Sequence, residues 1–348
     1  PPANSAYRIC TRCVMDTSDP GIEFDASGIC NRCRECEARL RATLLPPDER
    51  ERALRAIVDQ VKQDGAGKEY DCVIGVSGGV DSTYTAYVVK QLGLRPLAVH
   101  LDNGWDSELA VANIEKCLKT LGIELYTNVL DWDEFRDLQL AFLKASTPDS
   151  EAPTDHAINA AIRLKADELG VRYILMGNNT ATEGLGVPTW SMGQADWKYI
   201  RTLHKRFGPR PRGRGRRLQA VPHYSMWKSA YWRWVKRQVR IDILNYVEYD
   251  KGQALKLLEE KLGYVRYKGK HHESVYTRFY QSYILPRKFG FDKRRAHLSG
   301  LILSGQLSRE NGLHELAGEI APEEQLREDK IFVAKKLGVS EREFDAIM

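Results

Sequence analysis

"VIGVSGGVDSTYTAYVVK", residues 73–90, decides the fold of this chain. A short apolar run meets Ser77-Gly78-Gly79, and apolar residues at helical spacing follow. The pattern predicts a strand, a glycine turn and a helix. A turn that presents N–H groups at a helix start holds an anion. The turn has no lysine and no GK[ST], so it is not a Walker A loop. Nor is it the dinucleotide pattern G-x-G-x-x-G. What stands is S-G-G-V-D-S. Gly78 and Gly79 allow a sharp turn and a close approach to phosphate oxygens. Ser77, Ser82 and Thr83 offer hydroxyl donors. Asp81 either caps the helix or holds Mg²⁺ on a pyrophosphate.

The same alternation continues outward. "RPLAVHLD" and "IELYTNVLD" read as strands, and so does "VRYILMG". "SELAVANIEKCLKTLG", "WDEFRDLQLAFLKA" and "DHAINAAIRLKADELG" read as helices. Strands separated by helices of this length predict an α/β fold with a parallel sheet. Ligands of such sheets sit beyond the strand C-termini. Three loops converge there: Ser77-Gly78-Gly79, Asp102-Asn103-Gly104 and Gly177-Asn178-Asn179. "ERERALRAIVDQVKQ" reads as a helix ahead of the first strand, and "YSMWKSAYWRWVKRQVR" as an aromatic-rich helix after the last. The remainder reads as mostly helical, with stops at Gly263, Gly290, Gly312 and Gly338. The expected organisation is a zinc-binding module over 1–45, a nucleotide domain over 46–204, a basic loop and aromatic helix over 205–240, and a helical substrate or partner region over 241–348.

The 348 residues carry a net charge of +5, and 43% are apolar. That length accommodates about two domains. No stretch approaches the ~18 apolar residues of a membrane span, and the N-terminus lacks a secretory pattern. The expectation is a cytoplasmic chain without membrane association. Five of the seven cysteines lie in the first 36 residues. Cys10-x2-Cys13 and Cys30-x2-Cys33 fit a four-thiolate zinc site, structural because no coordination position stays open. A redox dithiol or two incidental pairs are the alternatives. Cys36 extends the second pair and admits a ligand exchange or an iron–sulfur cluster.

S-G-G-x-D-S after a strand resembles the PP-loop of the ATP pyrophosphatases. The resemblance implies that ATP is cut between its α and β phosphates, with adenylation of a substrate oxygen and displacement of AMP by a nucleophile. Sulfur transfer is disfavoured because no cysteine follows Cys117. A built-in glutaminase is absent from the sequence pattern. A closer resemblance covers nearly the whole chain. "CTRCVMDTSDPGIEFDASGICNRC", "IGVSGGVDSTYTAY", "DWKYIRTLHKRFG" and "HHESVYTRFYQSYILPRKFGFDKRRAHLS" are similar to the N-acetyl sugar amidotransferases. This implies conversion of an acetamido group to an acetamidino group on a surface-polysaccharide sugar, such as an O-antigen or other lipopolysaccharide precursor. ATP, Mg²⁺ and structural Zn²⁺ are the implied cofactors. Ammonia would come from separate HisH-like glutaminase and HisF-like cyclase subunits. The basic stretch 209–217 departs from the family pattern. The second reading is a tRNA-modifying adenylating enzyme of the thiolation type, and nucleic acid is otherwise not expected. A zinc-ribbon binding module with a degenerate nucleotide site is the third, disfavoured by the intact loop.

The remaining candidates divide between site and scaffold. Asp102 and Asn103 read as adenine, ribose or Mg²⁺ contacts, or as a plain turn. The resemblance places nucleotide or reacting-centre contacts at Gly177, Asn178, Asn179 and Glu183. His156 faces the cleft or is a packed core histidine. His272, Arg278, Arg294 and Arg295 suit a charged sugar or nucleotide sugar, or form a solvated face. Trp227, Tyr231, Trp232 and Trp234 suit base stacking or a core.

Overall fold

The computed structural model describes residues 7–209, 218–267 and 273–348. Its chain divides into two compact units. One comprises Asp48–Asn178 and Gly193–Thr277. The other comprises Pro1–Pro47, Asn179–Met192 and Arg278–Met348.

The first unit is built on five parallel strands. These are β1 (Cys72–Gly75), β2 (Pro96–Asp102), β3 (Glu124–Val129), β4 (Tyr173–Met176) and β5 (Val239–Asp242). Their spatial order is β3-β2-β1-β4-β5. β1 is buried throughout, and its side chains alternate between two cores. Cys72 and Ile74 pack with Ala86, Val89 and Ile114 on one face. Val73 packs with Ile162 and Ala166 on the other. Each fully buried Ile or Val of this kind contributes about 1.5–3 kcal/mol. The crossover helices Val80–Gln91, Glu108–Leu121 and Ala152–Glu168 supply those partners. The second of them has both expected stops: Ser107 accepts from the Ala110 N–H, and Gly122 closes it at φ +60°.

The order reverses between β1 and β4. The chain leaves β1 toward β2 and β3, then returns to build β4 and β5 on the other side. Such a switch point opens a crevice beyond the strand C-termini. Both flanks of that crevice carry loops marked by the sequence, Ser77–Gly79 and Gly177-Asn178.

One strand departs from the sequence expectation. The aromatic helix spans only Met226–Trp234, and Val239–Asp242 is an edge strand on β4. Arg237, at φ +53°, breaks the helix. The Val239 N–H then reaches the Arg172 carbonyl at 2.9 Å, and branched Val239 and Ile241 alternate with Arg240 and Asp242. Of the aromatics there, only Trp232 enters the core. Trp227 and Trp234 are exposed.

The second unit holds the cysteine-rich start with the helix Asn31–Thr43 and the C-terminal helices Arg294–Leu303, Arg309–Ala317, Glu323–Leu337 and Glu341–Ile347. Gly290 and Gly338 end their elements in the left-handed region, as does Gly263 in the sheet unit. Gly312 is no stop. It lies inside a helix, where a Cβ would come 2.9 Å from the Ile302 side chain. Close packing requires the glycine there. Among the described residues no helix is long and apolar enough to cross a membrane.

Candidate active site

The loop after β1 is held from four sides. Gly78 adopts φ +78°, and a Cβ there would meet the Ala110 carbonyl at 3.0 Å. Its own carbonyl accepts hydrogen bonds from both Tyr264 and Tyr267 hydroxyls, each at 3.0 Å. Burial pushes the Tyr264 phenol well above its ordinary value, and pushes Tyr267 up to about 12, so both remain donors. The peptide between Gly78 and Gly79 is planar and trans, and fixing its carbonyl fixes the Gly79 N–H in the opposite direction. Gly79 is the N-cap of Val80–Gln91 and has no side-chain cap. Its carbonyl accepts from Ser82 at 3.1 Å and Thr83 at 2.9 Å. The Ser77 N–H donates to Ser82 Oγ at 3.1 Å, and the two serine hydroxyls lie 3.2 Å apart. An uncapped helix start with oriented N–H and hydroxyl groups is a phosphate cradle. Asp81 is engaged by the Tyr249 hydroxyl.

A buried histidine sits behind this loop. His100 Nδ1 is 2.9 Å from the Val76 carbonyl, and Nε2 is 3.2 Å from Asp106. Both partners accept, so both ring nitrogens donate only in the imidazolium form. Burial lowers the His100 pKa, but Asp106, the Val76 carbonyl and Asp102 outweigh it and raise the value. Glu273 approaches from the opposite side: a Cβ on Gly79 would lie 3.5 Å from its carboxylate. Pairing of Asp106 with Ser274, and of the Ser107 N–H with the Glu273 carbonyl at 2.8 Å, brings Glu273 there.

Gly177 follows β4 and passes the first turn of the loop helix. A Cβ at that position would stand 2.9 Å from the Asp81 carbonyl. Asn178 accepts from Arg240 at 2.7 Å. Asp102 and Asn103 each close the turn after β2, accepting from the Gly104 N–H at 2.8 Å and the Trp105 N–H at 3.1 Å. Thus Ser77, Gly78, Gly79, Asp81, Ser82, Thr83, Asp102, Asn103, Gly177 and Asn178 belong to one unit and to the C-terminal side of its sheet.

Other residues marked by the sequence fall elsewhere. Asn179 and Glu183 begin a segment of the second unit. Asn179 caps Thr180–Glu183 through Oδ1, while its buried Nδ2 has no hydrogen-bond partner among the described residues. Glu183 is exposed. His156 is fully buried, stacked against Trp197 and Tyr224. Its Nδ1 meets the Gln194 carbonyl at 2.9 Å, Nε2 accepts from the Tyr224 N–H at 3.3 Å, and burial lowers its pKa. It is a neutral core histidine, with no ring nitrogen left over. Arg278 forms a fork on Asp329 at 2.6 and 2.8 Å. Arg294 binds Asp292 at 2.8 Å, and Arg295 binds Asp16 at 2.9 Å. These three guanidinium groups brace their own unit, because a half-buried cation needs a local acceptor. His272 and residues 210–217 of the basic loop lie outside the described residues.

In the second unit Cys10, Cys13, Cys30 and Cys33 converge, fully buried, with their sulfurs all within 4.8 Å of one another. Three Sγ–Sγ distances are 3.6–3.7 Å. Zn–S bonds of ~2.3 Å in a tetrahedron give sulfur edges of about 3.8 Å, so the four thiols fit zinc. The Cys30 and Met15 N–H groups point at Cys10 and Cys13 Sγ. Arg309 clamps the Cys10 and Cys13 carbonyls at 2.8 and 3.0 Å. Cys36 stands outside the cluster, and burial pushes its thiol up to about 11.

Tyr249, Tyr264, Tyr267 and Arg240 carry no local signal in the sequence, whereas Glu273 stands in the HHESVYTRFYQ tract. The fold brings the three tyrosines and Glu273 to the loop and Arg240 to Asn178. His100 had a local signal, as a polar residue inside an apolar strand.

Residues 273–348 match the family described as LPS biosynthesis protein WbpG-like, C-terminal domain. The match is confined to the C-terminal part of the chain, and the five-stranded parallel sheet lies ahead of it. The chain is also 31% identical over 149 residues to the tRNA-specific 2-thiouridylase MnmA of a Nitratiruptor species, covering 40% of this chain and 43% of that relative. With MnmA of Yersinia pestis (strain Pestoides F) it shares 29% over 121 residues, 30% of this chain and 32% of the relative. It thus spans less than half the length of the curated relatives it matches. Among solved structures, the NH3-dependent NAD synthetase of Campylobacter jejuni subsp. jejuni NCTC 11168 aligns at a TM-score of 0.33 and 13% identity, covering 76% of this chain and 98% of that one. The WbpG-like region includes Glu273 and every C-terminal helix from Arg294 onward.

Proposed function

We propose that this chain is an ATP-dependent amidotransferase acting on the acetamido group of a sugar destined for surface polysaccharide. The observation that carries the reading is the helix start after β1, which has no side-chain cap, with the Gly78 carbonyl fixed by two tyrosines and the Gly79 N–H turned to Ser77 Oγ at 3.4 Å. That cradle suits a departing pyrophosphate. The WbpG-like region supports a polysaccharide precursor as the acceptor.

In the proposed reaction the acetamide oxygen attacks the α-phosphorus of ATP, and the bond to the bridging oxygen breaks. Pyrophosphate leaves with the electron pair, held by the N–H groups of the loop and first helical turn and by Ser77, while Ser82 and Thr83 brace the Gly79 carbonyl. Ammonia then attacks the activated carbon, AMP departs with the former acetamide oxygen, and loss of a proton leaves the acetamidino group. Asp81 would hold Mg²⁺, which neutralises charge on the pyrophosphate. In its imidazolium form His100 would supply positive charge behind the loop. Asp102, Asn103, Gly177 and Asn178 frame the nucleotide and the reacting end. Separate HisH-like and HisF-like subunits would deliver ammonia. Zinc on the four thiolates would be structural.

The MnmA matches favour tRNA thiolation as the second reading. All seven cysteines are buried, and burial pushes the Cys117 thiol up to about 11 and Cys72 higher still. Sulfur transfer needs an accessible thiolate. Incubation with ATP, Mg²⁺, ammonium and nucleotide-linked acetamido sugars separates the readings. Sugar-dependent AMP release with oxygen-for-NH exchange supports amidotransfer. AMP release that depends on tRNA and a sulfur donor instead would establish thiolation.

A further inference from the structure

Arg163 differs from the arginines the sequence marks for an anionic substrate. It lies half-buried on the helix Ala152–Glu168. Among the described residues nothing accepts a hydrogen bond from its guanidinium, whose Cζ sits 5.8 Å from the Trp232 ring centroid. Asn159 stands one helical turn earlier, so the two side chains share a face. Asn159 Oδ1 accepts from the Arg240 guanidinium at 3.2 Å. Two guanidinium groups are therefore neighbours on one helix face.

Their charges are unevenly compensated. Arg240 donates through Nε to Asp242 at 3.1 Å and through a terminal nitrogen to Asn178 at 2.7 Å. With the Asn159 bond, this uses three of five N–H groups and fixes the direction of the other two. Arg163 has no carboxylate. Burial lowers its pKa, Tyr224 opposes this, and Arg240 lowers it further. A desolvated guanidinium beside a like charge is complete only when an anion joins it. Tyr224 and Trp232, with ring centroids 5.6 Å apart, give the place an apolar wall. The Arg240–Asn178 bond ties it to the exit of β4, beside the phosphate loop.

We propose that Arg163 and Arg240 form a subsite for an anionic group of the acceptor substrate, a carboxylate or a diphosphate. The subsite deepens the adenylating reading and rests on it for its place in the reaction: the anion is held on the β4 side while the acetamido group meets ATP over the loop.

The test uses the full chain with a non-hydrolysable ATP analogue at saturation, so that the phosphate loop is filled and added anions report another place. UDP and UDP-glucuronic acid are then titrated by calorimetry against the unsubstituted chain, Arg163→Gln and Arg240→Gln. The expected result is binding that either substitution weakens about tenfold or more, the loss of a charge-assisted fork, with ATP-analogue affinity unchanged in Arg163→Gln and partial recovery in Arg163→Lys. Equal binding of both probes assigns the diphosphate, and binding of UDP-glucuronic acid alone assigns the carboxylate. Binding that neither substitution weakens, or no binding of either probe, overturns the subsite. The analogue titration on the unsubstituted chain is read separately. Its failure would overturn the adenylating reading, and probe binding without the analogue would still decide the subsite.

Discussion

The cysteine cluster and the phosphate loop are both sites for ions, built on opposite plans. The four thiols come from two short turns, Cys10 to Cys13 and Cys30 to Cys33, which meet with sulfurs 3.6–3.7 Å apart. The phosphate loop is also a short motif, but its geometry is imposed from far along the chain. Tyr264 and Tyr267 fix the Gly78 carbonyl across more than 180 residues of sequence. The difference teaches that a motif names the chemistry, while remote side chains decide where its donors point.

The comparison breaks first at the loop. Gly78→Ala places a side chain at φ +78° and against the Ala110 carbonyl. It should lower ATP-dependent turnover by about 10²-fold or more, the effect of misplacing an oxyanion donor, while the metal content of the cysteine site stays the same. Activity within a few-fold of the unsubstituted chain would show that the loop does not hold the leaving group.

The converse substitution is Cys30→Ser. Loss of one thiolate should abolish stoichiometric zinc in elemental analysis and lower thermal stability, because metal binding and local folding are coupled. ATP-analogue affinity should change less than twofold if the two sites are independent in function. Retained zinc would remove Cys30 from the ligand set.

The tyrosine pair sharpens the contrast. Tyr264→Phe and Tyr267→Phe each remove one of two bonds to a single carbonyl, and each should cost about 0.5–1.5 kcal/mol. The double variant should raise the ATP KM more than the product of the single effects, since the last bond fixing the peptide is then gone. Strictly additive effects would mean that the pair serves stability alone.

The smallest effect is that of pH. His100 has a pKa raised above its ordinary 6.5 in the folded chain. The stabilisation it contributes is present below about pH 6.5 and is lost as pH rises through the folded value. Thermal stability should therefore fall over that window, and His100→Gln should flatten the fall. An unchanged slope in the variant would mean the imidazolium is not formed.

Much of the sheet is legible in the sequence because buried parallel strands are continuous apolar runs and their helices carry stops such as Ser107 and Gly122. β5 is not, since Val239–Asp242 is short, follows a helix, and becomes a strand only by pairing with β4. The loop residues and the four thiols are legible because each belongs to a short motif, S-G-G-V-D-S or a C-x2-C pair, whose residue types name its chemistry. The substrate arginines are not. Arg278, Arg294 and Arg295 look available in a basic tract, but Asp329, Asp292 and Asp16 reach them only in the folded unit. Arg163 looks like an ordinary helix-surface cation, and only the fold shows that no carboxylate pairs with it among the described residues.

Transfer of the acetamide oxygen tests the central claim most directly. An acetamido sugar carrying heavy oxygen in its carbonyl is turned over with ATP, Mg²⁺ and ammonium, and the phosphate products are examined by mass spectrometry. Adenylation predicts that the label appears in AMP, with unlabelled pyrophosphate. Release of ADP, or AMP without the label, would contradict it.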